Sequence, residues 1–273
     1  MSFQLHGAGA PVDPTCRYGA SRLRFRGPKR RLRDPYVACL GGAETFGRFV
    51  ADPYPQLLEQ RLGMACVNFG SVQCGLDAML GDPDLLGLAR AAERCILQLP
   101  CAQNLSNRFY RVHPRRNDRF LTASENLVAL YPEVDFTEFH FTRHLMLRLF
   151  QHSPDRFAAV MAELQRAWVA RMRRLLSAVD RPTVLLWLRQ EPPSDAVAPL
   201  GAAPLLVDRD MVAALAGGSA ATVELAVRGA VDSDELDDMI FGALQEPAAA
   251  QMLGPATHRS IAGQLLGVLR DLE

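Results

Sequence analysis

The sequence predicts an α/β fold: one three-layer, doubly wound domain with a mostly parallel sheet and a long mid-chain insertion. Short apolar runs alternate with amphipathic, helix-period stretches, which is the pattern of parallel βαβ units. Hydrophobic residues make up 49% of the chain, which excludes wholesale disorder. At 273 residues the chain is long enough to bury a substantial core in one domain.

Residues 1–16 are polar and Pro/Gly-rich, and with the basic stretch that follows they form an expected N-terminal arm, 1–34, ahead of a single domain, 35–273. Tyr36–Leu40 is the first expected strand and runs into the Gly-rich turn Gly41–Thr45. Pro55–Leu62 places Leu57, Leu58 and Leu62 at helical spacing. Ala65–Phe69 and Cys95–Leu99 read as the second and third strands, with a helix over Asp84–Arg94 between them. The regular rhythm then stops, and 101–152 reads as an insertion with a short helix around Ser124–Leu130. Irregular segments of this length are usually functional or covered. Ser153-Pro154 is a helix start, with Pro at the first helical position, and the helix it opens continues to about Val179. Phe157, Val160, Met161, Leu164, Trp168, Met172 and Leu175 form its apolar stripe. Thr183–Leu188 is the fourth strand, Pro192–Ala203 a Pro/Ala loop, and Pro204–Val207 a short strand. A helix starting at Asp208, a strand at Thr222–Val227, and helices near Pro247–Leu253 and Thr257–Leu269 complete the chain. In doubly wound sheets the ligand crevice lies beyond the C-terminal strand ends. Gly41–Thr45, Gly70–Cys74 and Pro100–Asn107 should therefore share one rim.

Formal net charge is zero, which argues against a bulk nucleic-acid binder. Charge is nevertheless unevenly placed. Arg17–Arg33 holds eight basic residues and no acid, whereas Asp232–Asp238 holds five acids and no base. The favoured expectation pairs these two segments, within one chain or between two subunits. Lys29 is the only lysine, and guanidinium forks suit carboxylate, phosphate or sulfate. Within Asn107–Phe120, Arg108, Arg111, Arg115, Arg116 and Arg119 lie beside Phe109, Tyr110 and His113. Asn107, Arg108, Arg111, His113, Arg115 and Arg116 are thus candidates for binding an anionic small molecule or glycan, against the alternative of a solvated loop pinned by acids. The six cysteines show no metal-like spacing, and Cys39, Cys66 and Cys95 fall in apolar runs expected to bury free thiols. His140 and His144 are four apart but lack a metalloprotease pattern, so no metal site is expected. No uninterrupted apolar segment reaches roughly 18 residues and no leader-like apolar core opens the chain, so a soluble cytoplasmic protein is expected.

Gly41-Gly42-Ala43-Glu44-Thr45, Asn68-Phe69-Gly70, Gln103-Asn104 and Pro255-Ala256-Thr257-His258 together resemble the motif blocks of the SGNH (GDSL-type) hydrolase superfamily. That family carries a nucleophilic Ser in a G-D-S-x-T turn, an oxyanion N–H on a second-strand Gly, an Asn on the third loop, and a C-terminal D-x-x-H. Here Ala43 stands at the Ser position and Pro255 at the Asp position, so the scaffold is a degenerate one. The resemblance implies an SGNH-hydrolase or flavodoxin-like architecture, with Gly42 and Gly70 on the ligand side. Asn104, His258, Glu44 and Thr45 become the candidate catalytic groups. Thr45 would act as weak nucleophile or anion donor and Glu44 as base near His258; alternatively Thr45 caps the following segment and Glu44 is solvated or arginine-paired. An ordinary Ser–His–Asp hydrolase is not expected.

The stretches SRLRFRGPKRRL, NLSNRFYRVHPRRNDRF and VDFTEFHFTRH resemble an uncharacterised alphaproteobacterial family. The architecture is also similar to capsule-biosynthesis proteins with an SGNH-like core that bind coenzyme A. The first resemblance implies a shared scaffold and supplies no mechanism; the expected function is that of an atypical SGNH-like protein acting on or binding an anionic ligand, with group transfer in surface-polysaccharide modification as the enzymatic form and coenzyme A or a nucleotide-type donor as the candidate cofactor. The alternatives are a catalytically inactive binding module for an anionic glycan, nucleotide or coenzyme A, or a structural assembly subunit, with a homo-oligomer among the expected states.

Overall fold

The computed structural model describes residues 15–191 and 200–272. Residues 1–14 of the expected N-terminal arm, and most of the expected Pro/Ala loop, 192–203, lie outside the described residues. The strands are β1 (Thr15–Cys16), β2 (Phe25–Arg26), β3 (Tyr36–Gly41), β4 (Ala65–Gly70), β5 (Arg94–Gln98), β6 (Tyr110–His113), β7 (Arg116–Ala123), β8 (Thr183–Gln190) and β9 (Ala221–Val227). The α-helices are α1 (Ala43–Phe46), α2 (Tyr54–Leu62), α3 (Leu76–Leu80), α4 (Pro83–Ala91), α5 (Glu125–Leu130), α6 (Thr142–His152), α7 (Pro154–Val179), α8 (Arg209–Ala213), α9 (Glu246–Ala249) and α10 (Pro255–Asp271).

The central sheet has the order β4-β3-β5-β8-β9, and every pairing in it is parallel. This is a mixed α/β fold with three layers. Side chains along each strand divide between the two faces with period two. Ala38, Leu40, Cys95, Leu97, Leu185 and Trp187 join a core that includes α3, α4 and α7. Val37, Cys39, Ile96, Val184 and Leu186 join the opposite core under α2 and α10. Burial on both faces explains why these strands read as near-continuous apolar runs. Ser153 caps α7 by accepting from Arg156 N, with Pro154 in the first turn. Trp168, fully buried on α7, donates from Nε1 to Pro100 O at 2.8 Å and so fixes the loop after β5.

Two expected features differ. Pro204–Val207 is not a strand: Ala203 makes an isolated bridge to Gln190, and Leu206 turns the chain at φ 63°. The insertion, expected to be largely irregular, contains the antiparallel β6–β7 hairpin as well as α5, whose N-cap is Ser124. Asn117 binds that hairpin to the start of α3. Its fully buried Oδ1 accepts from Gly75 N and Ala78 N, both at 3.0 Å, and Nδ2 donates to His113 O. Asn117→Ala is expected to cost about 2 kcal/mol in urea unfolding, because two buried N–H groups lose their acceptor.

The basic segment is pinned too. Tyr18 and Phe25 are buried and pack edge-on against Phe69. Arg26 donates to the carbonyls of Gly47, Val50 and Ala51, beyond the first turn. Burial alternates here, with Leu23 and Phe25 inside and Arg22 and Arg24 outside. Within the chain the acidic run is not the partner of these bases: among the described residues, no ion pair joins Arg17, Arg22, Arg24, Arg31 or Arg33 to Asp232–Asp238, so of the two expected pairings the one inside a single chain is not made.

Candidate functional site

The turns after β3, β4 and β5 meet at the C-terminal edge of the sheet. They border a crevice of about 350 Å³ whose wall includes Gly42, Glu44, Cys74, Gln98 and Asn104. Gln98, the last residue of β5, organises it. Its Oε1 accepts from Gly42 N at 3.0 Å, Thr45 N at 3.1 Å and Thr45 Oγ1 at 2.6 Å. Its Nε2 donates to Glu44 Oε2 at 2.7 Å. Thr45 has one hydroxyl proton, already given to Gln98, so Tyr54 O–H must donate across the 3.1 Å separation to Thr45 Oγ1. Asn68 closes the other side, with Nδ2 donating to Thr45 O at 2.7 Å and Oδ1 accepting from Gly70 N at 2.8 Å.

His258 lies one step deeper. It is 1% exposed, and its Nδ1 accepts from Tyr54 N at 3.2 Å while the ring stacks on Tyr54. A bare Nδ1 makes this the neutral, Nε2-protonated tautomer. Burial pulls its pKa down to about 4; Glu235 opposes that shift and Arg26 adds to it. Glu235 itself caps α10. Its carboxylate accepts from Ala256 N, from Thr257 N at 3.0 Å and from Thr257 Oγ1 at 2.6 Å. Burial pushes the Glu235 carboxyl up, but these hydrogen bonds and one from Ser233 outweigh it and hold the pKa below the usual value.

A second recess, of about 550 Å³, adjoins the crevice across Val72 and Gln73, which line both. Arg17, Arg22 and Arg24 from the basic segment meet Arg115 and Arg116 from the β6–β7 turn around it. The juxtaposition has a local cause. Asn117 N donates to Gln73 O, and His113 Nδ1 accepts from the backbone N–H of Arg115 and Arg116, folding the hairpin tip onto the turn after β4. Among the described residues, no carboxylate lines the recess and no ion pair engages any of the five arginines.

The whole sequence, residues 1–273, matches the family model described as a domain of unknown function, DUF6473. The chain belongs to that family. No curated protein matches it. Similar solved structures include the lipase Lip_vut3 from a goat rumen metagenome, at 12% identity and TM-score 0.45, covering 86% of this chain and 97% of that one. A putative lipolytic protein of the G-D-S-L family from Desulfitobacterium hafniense DCB-2 aligns at 12% identity and TM-score 0.41, covering 86% and 99%. LAE5, an alpha/beta hydrolase from the metagenome of Lake Arreo, Spain, aligns at 13% identity and TM-score 0.42, covering 88% and 96%.

In this DUF6473 chain the candidate residues separate into distinct groups. Gly42, Glu44 and Asn104 border the crevice, with Asn104 Oδ1 accepting from Thr142 Oγ1 at 2.6 Å. Thr45 does not fit the nucleophile role: it is fully buried and its hydroxyl is spent on Gln98. His258 makes no hydrogen bond to Thr45 or Glu44, because Tyr54 stands between; the carboxylate acting on it is Glu235, not Glu44. Gly70 is not an open oxyanion donor, since its N–H is taken by Asn68. Its lack of a side chain serves packing, because a Cβ there would sit 2.3 Å from Phe46 N. Asn107 folds its own loop, accepting from Phe109 N and Tyr110 N and donating to Leu105 O. Arg108 lies over the Phe109 ring, with Glu163 3.5 Å away, and Arg111 projects to solvent from β6; neither lines the recess. His113 is spent on the hairpin turn, whereas Arg115 and Arg116 reach the recess.

Cys74 and Cys101 also line the crevice, but burial pushes the Cys74 thiol up to about 12 and raises Cys101 as well, so neither supplies a thiolate at neutral pH. Among the described residues, no group of three His, Cys, Asp or Glu could hold a metal, and no helix is long and apolar enough to cross a membrane. Gln98 escaped the sequence reading. Its one signal is a polar residue near the end of the apolar run CILQL, at the strand end where a crevice is expected.

Proposed function

We propose that this protein binds an anionic ligand at the C-terminal ends of its strands and does not hydrolyse it through a Ser–His–Asp relay. The observation that carries this reading is the convergence of Arg17, Arg22, Arg24, Arg115 and Arg116 on one recess that no carboxylate lines among the described residues. Five clustered guanidiniums, none in an ion pair among the described residues, repel one another, and a polyanion relieves that repulsion while filling their donor forks. The crevice beside them supports binding over hydrolysis. Ala43 offers no hydroxyl, Thr45 is enclosed, and His258 is buried with Nδ1 committed to a backbone N–H. Anionic glycans, nucleotides and coenzyme A all present the charge this recess would take.

The test is isothermal titration with inorganic pyrophosphate at low and moderate salt. Binding should weaken as salt rises, and Arg22→Ala and Arg116→Ala should each raise Kd about tenfold, or ~1.4 kcal/mol. The wild-type chain should show no esterase turnover of p-nitrophenyl acetate above that of a His258→Asn variant. Absence of heat and of thermal stabilisation with pyrophosphate, phosphate and sulfate alike would reject the reading.

A further inference from the structure

Resting on that anion-binding reading, we infer that the ligand is bipartite: a hydroxyl-rich body seated in the crevice and joined to a phosphate held in the arginine recess, so that the ligand class is a sugar phosphate. The two cavities share the Val72–Gln73 wall, and a molecule crossing that turn occupies both. Helix α1 sorts their chemistry, because Glu44 lines the crevice and Phe46 lines the recess.

Charge is divided to match. Among the described residues, the recess lining carries five guanidiniums and no carboxylate, whereas the crevice lining carries one carboxylate, Glu44, and one guanidinium, Arg48. Gln98 fixes Glu44 through Oε2, which leaves Oε1 to accept a hydroxyl. A phosphate therefore gains in the recess and is repelled near Glu44, and this polarity sets which end of the ligand goes where.

The rest of the crevice suits an uncharged polyol. Gln73, Gln190 and Gln251 contribute amides whose side chains make no hydrogen bond to described residues, and Asn104 keeps its amide N–H₂ uncommitted. Each amide both donates and accepts, as sugar hydroxyls do. Leu188, Val227 and Leu253 form an apolar stretch of the wall for ring C–H groups. A volume of about 350 Å³ is in the range of small-ligand pockets and accommodates a single sugar ring.

Titrations with inorganic phosphate, with glucose, galactose and mannose, and with the three corresponding hexose 1-phosphates test this. At least one hexose 1-phosphate should bind tenfold or more tightly than inorganic phosphate, while the free hexoses bind weakly. Glu44→Ala should lower the ratio of hexose-phosphate to phosphate affinity at least fivefold, and Arg116→Ala should weaken both ligands together. Phosphate binding with no gain from any of the three sugars, or a ratio unchanged in Glu44→Ala, overturns the bipartite ligand and leaves anion binding standing. Failure of phosphate and every hexose phosphate to bind overturns both.

Discussion

Gln98→Leu is expected to destabilise the fold by about 3–5 kcal/mol, measured by urea unfolding at pH 7, because it strips the acceptor from several buried donors at once. Leucine matches the size of glutamine and keeps the β5 backbone, so the cost isolates the amide. Gly42 N, Thr45 N and Thr45 Oγ1 all converge on Gln98 Oε1. In the variant the Thr45 hydroxyl turns to Tyr54, its other neighbour, and Gly42 N can turn to the crevice, but the buried Thr45 N has no such choice. Glu44 also loses the Nε2 donor that fixes it. Gln98→Glu separates acceptor from charge. It keeps an oxygen for the three donors but replaces the Nε2 donor with a second carboxylate facing Glu44, so it should be less stable than wild type at pH 7. A loss under 1 kcal/mol in Gln98→Leu would mean that the first turn holds its shape without the amide.

The same residue shows what the sequence made legible. Apolar runs report burial, and strands covered on both faces are the most apolar segments of the chain, so Tyr36–Gly41, Ala65–Gly70 and Thr183–Gln190 stand out. The β6–β7 hairpin did not, because β6 alternates over only four residues and β7 buries a polar residue, Asn117, while exposing Leu121. Placement along the chain also located the three turns that meet at the crevice. What spacing could not supply was side-chain direction. Thr45 and His258 sit near the rim in sequence terms, yet each turns inward to a hydrogen bond whose partner is distant in the chain. Glu235 read as one charge in an acidic run, whereas its neighbours Asp237 and Asp238 are exposed and only Glu235 reaches the start of α10. The arginine recess joins residues 17–24 to 115–116 through contacts of Asn117 and Gln73, which neither segment announces by itself.

Acidification from pH 7 to pH 5 should cost the wild-type chain about 2 kcal/mol through His258 alone, and about 3 kcal/mol by pH 4. The folded pKa lies at about 4, below the ordinary value of 6.5, because burial disfavours the imidazolium. Between those values the unfolded chain binds a proton that the folded chain refuses, so stability falls as pH falls. Above 6.5 both states are neutral at this site and the contribution is constant. Asp118 acts in the opposite sense: its burial raises its pKa, so the folded state takes up that proton first. Glu235, with a lowered pKa, loses its contribution only in the more acidic range below 4.5. A variant comparison separates these groups. Asn at position 258 can place an amide oxygen where Nδ1 accepts from Tyr54 N, while having no proton to gain. His258→Asn should therefore be less stable at pH 7, through the lost ring contact with Tyr54, yet lose about 2 kcal/mol less than wild type on going to pH 5. In melting temperature that difference is about 4–8 °C for a chain of this size. Parallel stability curves for the two proteins from pH 7 to 5 would show that His258 takes up its proton without unfolding, and the buried neutral imidazole would have to be abandoned.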